Sequence, residues 1–226
     1  MTIRKIGTLT IGQAPRSDIT PILEAALPPH VECLHAGVLD GLDDAAVAAR
    51  FAPQPGDALL TSRLLDGRAV VMGKPAVGEA LQQKIDWLEA EGCELIVILC
   101  TGEFHGLHSQ KSWLVEPDQI LPPTLNALVG TRRSGILVPL ESQVASELEK
   151  WRDAPQAPVF AVASPYTANE EEVAAAARSL EAQGAEVILT DCMGYTTWHQ
   201  DICAQHVAIP VVRSNKLLVD LLRNLL

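Results

Sequence analysis

Several features that would place this sequence in a common functional class are missing. Aromatic residues make up only 4% of the chain, and 17 Lys and Arg face 28 Asp and Glu, a formal net charge of −11. This charge argues against a surface built to bind nucleic acid or anionic lipid. No apolar run is long enough to span a membrane, and the N-terminus lacks the apolar core of a signal peptide. We therefore expect a cytoplasmic protein with no nucleic-acid or membrane partner.

Motifs for metals, phosphates and disulfides are also missing. The five cysteines are odd in number and none lies in a CxxC pair, which argues against a disulfide framework or a zinc site. Gly7 and Gly12 have the spacing of a phosphate-binding loop, but the Lys-Ser/Thr that such a loop needs does not follow them. No set of His, Asp and Glu has metal-ligand spacing. We expect free thiols in a reducing compartment and no cofactor.

The most informative feature that is present is a duplicated segment. Residues 88–102 return 92 positions later as residues 180–194, and eight of the fifteen positions are identical. Each copy predicts a helix that ends at a glycine, then a buried strand, then Cys-x-Gly. Because ligands of open α/β sheets bind beyond the carboxyl ends of the strands, the repeat predicts that Cys100 and Cys192 face one site.

Predicted strands and helices alternate along the chain, which indicates an α/β fold with parallel sheets. The repeat divides this fold into two pseudo-symmetric lobes, each a mostly parallel sheet flanked by helices. We place the first lobe at residues 1–115 and the second at 116–214. The pattern leaves open whether the last helix, 215–226, packs back on the first lobe. Near the N-terminus, we expect Ser17 or Asp18 to cap the first helix.

Two thiols at matching strand ends suggest stereoinversion at a carbon next to a carboxylate. This reaction needs a base on one face of the carbon and an acid on the other. We expect Cys100 and Cys192 each to lie at a helix N-terminus, which lowers a thiol pKa from its usual value of about 8.5. A carbon in contact with both would put the sulfurs about 6–8 Å apart, too far for a disulfide.

The other cysteines, and the acid beside Cys192, have a simpler interpretation. A free cysteine is more often a small buried hydrophobic residue than a catalytic group. We apply that interpretation to Cys33, Cys93 and Cys203. Since side chains alternate along a strand, Asp191 is expected to point away from Cys192.

Polar residues near the strand exits are candidate substrate contacts. Arg16, Arg63 and Arg213 could each hold a carboxylate through two parallel hydrogen bonds; the alternative for each is an ion pair with a local Asp. Arg16 is the first choice because its loop opens the sheet. The backbone N–H groups of Thr101 and Gly102 could bind a carboxylate or enolate-like oxygen. Three hydroxyl residues could donate further hydrogen bonds: Thr61, Ser164 and Ser214.

Five short motifs resemble those of the AroM family. They are Thr10-Ile-Gly-Gln13-Ala-Pro15-Arg16-Ser-Asp18, Arg63-Leu-Leu-Asp66-Gly67, Ser164-Pro-Tyr166, Asp191-Cys192-Met-Gly194 and Arg213-Ser214-Asn215. The AroM family is similar to the aspartate/glutamate racemase superfamily. The resemblance implies two pseudo-symmetric α/β lobes, one cysteine from each lobe and no cofactor. It also adds Gln13, Tyr166 and Gly194 to the candidate substrate-binding residues.

The sequence departs from glutamate racemases around both thiols. In those enzymes the second cysteine precedes Thr-His, and the histidine helps to activate it, whereas here Cys192 precedes Met193 and the nearest histidine is His199. The first cysteine of those enzymes precedes Asn-Thr, whereas Cys100 precedes Thr101. The acidic residue that they carry after the first strand is also missing. These differences keep more than one chemistry open.

Our leading hypothesis is a cofactor-independent racemase, epimerase or isomerase. It would act on a small carboxylate or amino acid by two-thiol proton transfer in the cleft between the lobes, with a homodimer as a possible assembly. One alternative keeps a single thiol, as a decarboxylase of malonate-like acids or a cis–trans isomerase of the same superfamily. The other is a small-carboxylate binding protein without catalysis.

Overall fold

The protein, described here from a computed structural model of residues 3–226, divides along the chain into two units. The first unit extends to Pro117 and includes the C-terminal segment Val219–Leu226. The second unit is Asp118–Leu218. Each unit contains its own parallel sheet. No helix within residues 3–226 has both the length and the apolar character needed to cross a membrane.

The first unit is built on a four-stranded parallel sheet in the order β2-β1-β5-β6. Its elements are β1 (Lys5–Thr10), α1 (Thr20–Glu24), β2 (Glu32–Gly37), α2 (Asp44–Phe51), β3 (Leu59–Arg63), β4 (Ala69–Gly73), α3 (Lys74–Ala90), β5 (Leu95–Ile98) and β6 (Trp113–Val115). Strands β3 and β4 form a separate antiparallel hairpin, which the Asp66-Gly67 turn pair predicts.

The second unit also has a four-stranded parallel sheet, in the order β10-β9-β7-β8. Its elements are α4 (Pro117–Val129), β7 (Ser134–Val138), a 3₁₀ turn (Glu141–Gln143), α5 (Val144–Lys150), β8 (Val159–Val162), α6 (Glu170–Ala182), β9 (Val187–Thr190), α7 (Thr197–His206), β10 (Val211–Arg213) and α8 (Ser214–Leu222). Helix α8 begins in this unit, and its last residues belong to the first.

The two sheets have the same topology. Read from the opposite edge, the second sheet has the order β8-β7-β9-β10, which matches β2-β1-β5-β6 strand for strand. The register is repeated as well, because Ile6 pairs with Leu95 and Ser134 pairs with the equivalent Val187. The prediction of an α/β fold with two similar lobes and parallel sheets is therefore confirmed.

The helices before the two repeated strands end as the sequence predicts. Gly92 and Gly184 have φ values of +85° and +89°, in the left-handed region that a helix C-terminus often needs and that glycine adopts without strain. The strands that follow them, β5 and β9, are buried at every position, as expected for the centre of a parallel sheet covered on both faces.

The prediction for the start of α1 was wrong. The residue at the helix N-cap is Ile19, whose side chain makes no capping hydrogen bond. The carboxylate of Asp18 instead accepts hydrogen bonds from Arg16. An ion pair at a separation of two residues competes directly with capping for the same oxygens, and it makes a charge-assisted contact.

Candidate functional site

Cys100 lies just beyond the end of β5, in a short turn of the first unit. Its side chain is partly buried against the apolar core of that unit, and the backbone N–H of Gly102 donates to its sulfur at 3.4 Å. Thr101, between them, is buried. A donor directed at the sulfur is the kind of contact that favours a thiolate over a thiol.

Cys192 lies in the equivalent turn of the second unit, just beyond the end of β9. Its sulfur accepts from the backbone N–H of Gly194, again at 3.4 Å, and its side chain packs at the edge of the second core. The repeat therefore reproduces the environment of the sulfur as well as the strand. Both cysteines are free thiols, as predicted.

The prediction that each thiol lies at a helix N-terminus was wrong for Cys100. The chain from Thr101 to Ser112 has no helix and leads into β6. Cys192 does precede a helix, but four residues separate it from the first residue of α7. The backbone donor in each turn, and not a helix dipole, is what the two sulfurs share.

Tyr166 lies beside the second thiol. Its hydroxyl oxygen is 3.8 Å from the sulfur of Cys192, and its ring lies against Gly194. A Cβ atom added at position 194 would fall 2.6–2.7 Å from three atoms of the tyrosine side chain. The hydroxyl of Ser164 accepts from the backbone N–H of Tyr166 at 3.2 Å and shapes this loop. Glycine is therefore required at 194 because Tyr166 occupies the space.

We expect Gly194→Ala to lower the free energy of unfolding by about 1–3 kcal/mol, because the new methyl group must displace the Tyr166 ring. Gly102→Ala is the matched control in the other repeat: its Cβ would meet a terminal carbon of Leu60 at 3.0 Å, and a leucine end can move. Urea unfolding midpoints of the two variants give the comparison. Equal losses would contradict the assigned role of the ring.

Residues at the start of α8 hold the Cys192 turn in place. Ser214 donates to the carbonyl of Thr190 at 2.6 Å and to that of Cys192 at 3.3 Å. The side-chain amide of Asn215 donates to the carbonyls of Met193 at 3.1 Å and Tyr195 at 2.6 Å. The Arg-Ser-Asn motif thus braces the backbone around the thiol. Asn215, which was not among the predicted site residues, is the main brace.

Arg213 carries a partly unsatisfied guanidinium group at the end of β10. Its Nε atom donates to Gln200 at 3.0 Å, while Nη1 is buried and has no hydrogen-bond partner among the described residues. Burial lowers the pKa of Arg213 from its ordinary value. A buried donor without an acceptor is unfavourable, so an anionic ligand would complete this group.

The other two predicted arginines differ from each other. Arg16 is buried and forms a two-point ion pair with Asp18, at 2.9 Å and 2.5 Å, and its third nitrogen lies 3.5 Å from the hydroxyl of Thr10. Its fork therefore already holds a carboxylate of this chain. Arg63, at the end of β3, is half-buried, and its side chain has no ion pair within residues 3–226.

Two predicted contacts support the hairpin of the first unit. The side chain of Gln13 accepts from the N–H of Leu65 at 2.8 Å and donates to the carbonyl of Leu39 at 3.4 Å. Thr61 donates to the carbonyl of Val70 at 3.2 Å. The bond to Leu65 attaches the loop after β1 to the hairpin, and the Thr61 bond joins the two strands of the hairpin. Both side chains therefore make hydrogen bonds within the protein, where we had predicted bonds to substrate.

The histidine closest in sequence to Cys192 serves the next helix. The Nδ1 atom of His199 accepts from the backbone N–H of Thr196 at 3.0 Å and lies 3.1 Å from its hydroxyl. This is a reciprocal cap at the start of α7. No group of three or more His, Cys, Asp or Glu side chains in the described part of the chain is arranged to hold a metal ion.

Solved structures with this fold include several enzymes. Allantoin racemase from Klebsiella pneumoniae superposes with a TM-score of 0.63 at 15% identity, over 98% of this chain and 86% of its own. Arylmalonate decarboxylase gives 0.62 at 14% identity, over 97% and 92%. Glutamate racemase from Aquifex pyrophilus gives 0.61 at 14% identity, over 98% and 84%. At such identities the likeness establishes the fold alone.

Sequence comparison identifies the family of this chain. No curated protein sequence matches the chain. The family described as AroM protein matches residues 6–226, a span that includes both thiol turns, Tyr166 and the Arg-Ser-Asn motif at the start of α8. Because the match extends over nearly the whole sequence, this protein belongs to the AroM family.

Proposed function

We propose that the protein is a cofactor-independent racemase, epimerase or isomerase of a small carboxylate or amino acid. The observation that supports this proposal is the repeated thiol turn, in which Cys100 and Cys192 each follow a buried strand and accept a backbone N–H at 3.4 Å. Neither sulfur forms a disulfide. Two activated thiols in equivalent turns are what an enzyme needs to serve both faces of one carbon.

In the proposed reaction, one cysteine is a thiolate and the other a thiol when substrate binds. The thiolate removes the α-proton, and the electron pair of the C–H bond moves into the carboxylate to form an enediolate. The second thiol then donates its proton to the opposite face of the carbon. The proton count balances, because the thiolate has become a thiol and the thiol a thiolate, ready for the reverse reaction. The proposal requires each sulfur about 3–3.5 Å from the carbon.

Arg213 is the best-supported candidate for the substrate carboxylate. Its Nη1 atom is buried without an acceptor among the described residues, and a carboxylate would satisfy it while placing negative charge next to a guanidinium. Arg63 is the second candidate. Arg16 is a weaker candidate because Asp18 already occupies its fork. In this proposal the hydroxyl of Tyr166 contacts the sulfur of Cys192, and that sulfur contacts the reacting carbon of the substrate.

A single-thiol reaction is the second candidate, and one observation favours it. The two turns are not equal, because Tyr166 lies 3.8 Å from the sulfur of Cys192 and Asp191 precedes that residue, where the first repeat has Leu99. One thiol with a hydroxyl partner is enough to protonate the enediolate left by decarboxylation. The arylmalonate decarboxylase with a similar fold makes malonate-like acids a substrate class to test.

The test is a substrate panel in D₂O with the wild-type protein. Candidate α-substituted acids, amino acids and malonates are incubated, and NMR and chiral chromatography follow α-deuterium, inversion, double-bond isomerisation and CO₂ release. Deuterium with inversion supports the two-thiol proposal, whereas CO₂ release supports the one-thiol candidate. Ligand-induced stabilisation of the fold without turnover of any panel member would overturn both in favour of a binding protein.

A further inference from the structure

A buried cluster of charged side chains lies behind the Cys192 turn. Asp191 accepts from the ammonium group of Lys150 and from the indole N–H of Trp151 at 3.2 Å. Glu147, one turn earlier on α5, lies 3.1 Å from the same ammonium and 3.2 Å from the same indole nitrogen. The side chains of Lys150 and Asp191 are 5% and 0% exposed. Asp191, the first residue after β9, thus directs its carboxylate into this cluster.

The fold itself does not require this cluster. The position equivalent to Asp191 in the first repeat is Leu99, which is 3% exposed, and the two backbones are held alike there: Leu99 donates to Leu9 at 2.7 Å and Asp191 to Leu137 at 2.8 Å. A buried ion pair is seldom more stabilising than apolar residues of the same size. The charges therefore point to a role specific to the second thiol.

The cluster changes its net charge within the range where thiols titrate. Burial, followed by the neighbouring Asp191, raises the pKa of Glu147 to about 8. The same two carboxylates hold Lys150 in its charged form and raise its pKa, against the opposing effect of burial. The Lys150–Asp191 pair is neutral overall, so the cluster is neutral while Glu147 keeps its proton. It gains one negative charge when Glu147 ionises.

Cys192 follows one member of the cluster directly in the chain. Asp191 is its neighbour in the chain, and the charges of Cys192 and Asp191 both raise the pKa of Tyr195, after burial as the largest cause. The other titratable groups around this turn are Tyr166, whose hydroxyl faces the sulfur, and His199, which is buried in the cap of α7. Glu147 therefore adds, behind the turn, a group that can change charge between neutral and mildly alkaline pH.

We propose that Glu147 and Lys150 are positioning residues that act through Asp191 on Cys192, fixing the end of β9 and setting how readily this thiol, unlike Cys100, loses its proton. When Glu147 is protonated, the cluster carries no net charge and does not oppose the formation of a thiolate at Cys192. With Glu147 ionised, its negative charge opposes a thiolate at Cys192. The inference deepens the proposed function, and rests on it only for the use of Cys192 as a proton carrier.

The experiment measures the thiol directly and needs no substrate. Wild type, Glu147→Gln and the control Glu149→Gln, whose carboxylate lies on the same helix but is exposed, are alkylated with iodoacetamide between pH 6 and pH 10. Mass spectrometry of the peptide that contains Cys192 gives its rate at each pH. We expect Glu147→Gln to move the midpoint of this profile down by about 0.5 pH unit, which is roughly threefold in proton affinity. The control, and the peptide of Cys100, should keep the wild-type midpoint.

A second measurement shows whether the cluster titrates in the folded protein. Because the folded-state pKa of Glu147 is raised from 4.5 to about 8, its contribution to stability is fully present below about pH 4.5 and is lost as the pH rises through about 8. The Tm of Glu147→Gln should therefore rise relative to wild type across this window.

If this Tm difference is seen while the Cys192 midpoint stays fixed, the cluster titrates without acting on the thiol, and the inference is overturned. A rate that changes by one factor at every pH would indicate loosened structure and would overturn it too.

Discussion

Replacing either Cys100 or Cys192 with serine is expected to lower α-deuterium wash-in with inversion by about 10³-fold, provided that the substrate panel yields a substrate. A serine hydroxyl is far less acidic than a thiol, so at neutral pH it cannot supply the anion that removes the α-proton, and general base catalysis contributes about 10²–10⁴-fold. The measurement is deuterium incorporation by NMR, started separately from each enantiomer. Cys33→Ser is the control, because burial raises the pKa of that thiol to about 12 and the residue belongs to β2 and to neither thiol turn.

The pattern of the two losses distinguishes the candidate reactions. Loss in both variants supports two-thiol proton transfer. Loss in Cys192→Ser alone supports the single-thiol reaction, with Tyr166 as the neighbour of the remaining acid. Wild-type rates in both variants would exclude the thiols as proton carriers, and the repeat would then serve the fold only.

The second large effect is expected for Asn215→Ala. Asn215 is fully buried, and its amide donates to two backbone carbonyls of the Cys192 turn. Removing it leaves both carbonyls without this partner, and a buried unsatisfied group costs about 1–3 kcal/mol. We expect a loss of about 2–4 kcal/mol in the free energy of unfolding, which for a protein of this size corresponds to a fall in Tm of roughly 5–12 °C.

Asn224→Ala is the matched control for this prediction. The amide of Asn224 also donates to two carbonyls, those of Asp220 and Leu221, but it is exposed, so water can replace it. Calorimetry should show little change in the Tm of this variant. A similar fall in both would contradict the role of Asn215 as a brace of the thiol turn, because an exposed amide of the same type would then matter as much.

The sequence was sufficient to predict the two sheets because the relevant signals are local. A buried strand between a left-handed glycine and Cys-x-Gly specifies its own ends, and the repeat of that unit carries the register with it. Residues 88–102 and 180–194 therefore predicted β5 and β9, which end two residues before Cys100 and Cys192. The fold of two similar lobes followed from the same pattern, supported by the motifs that resemble the AroM family.

Features that depend on competition between partners could not be predicted in this way. Asp18 was an acceptable helix cap, but its carboxylate binds Arg16 instead. The same ion pair occupies the two guanidinium nitrogens of Arg16 that could have bound a substrate carboxylate. Strand β6 has three residues, too few for a periodic pattern. The chain from Cys100 to this strand contains no helix, although a helix was expected there. In both places the outcome depends on contacts that the local sequence does not specify.

The roles of Tyr166 and Asn215 depend on contacts between residues far apart in the chain. Tyr166 is 26 positions from Cys192, and Asn215 is 22 positions from the carbonyl of Met193. Their motifs were noted, but a motif gives no direction to a side chain. An expectation that Asn215 faces inward could have come only from its position at the start of an amphipathic helix.

The hydrogen bond that each sulfur accepts comes from a peptide group. Side-chain replacement cannot delete that donor. A substitution at position 102 or 194 can change the shape of the turn, but only a substitution to proline would remove the N–H. The two sulfurs have thus inherited a contact that is insensitive to most mutations. Only an ester in place of the amide, introduced by chemical synthesis, would isolate its contribution to thiol acidity.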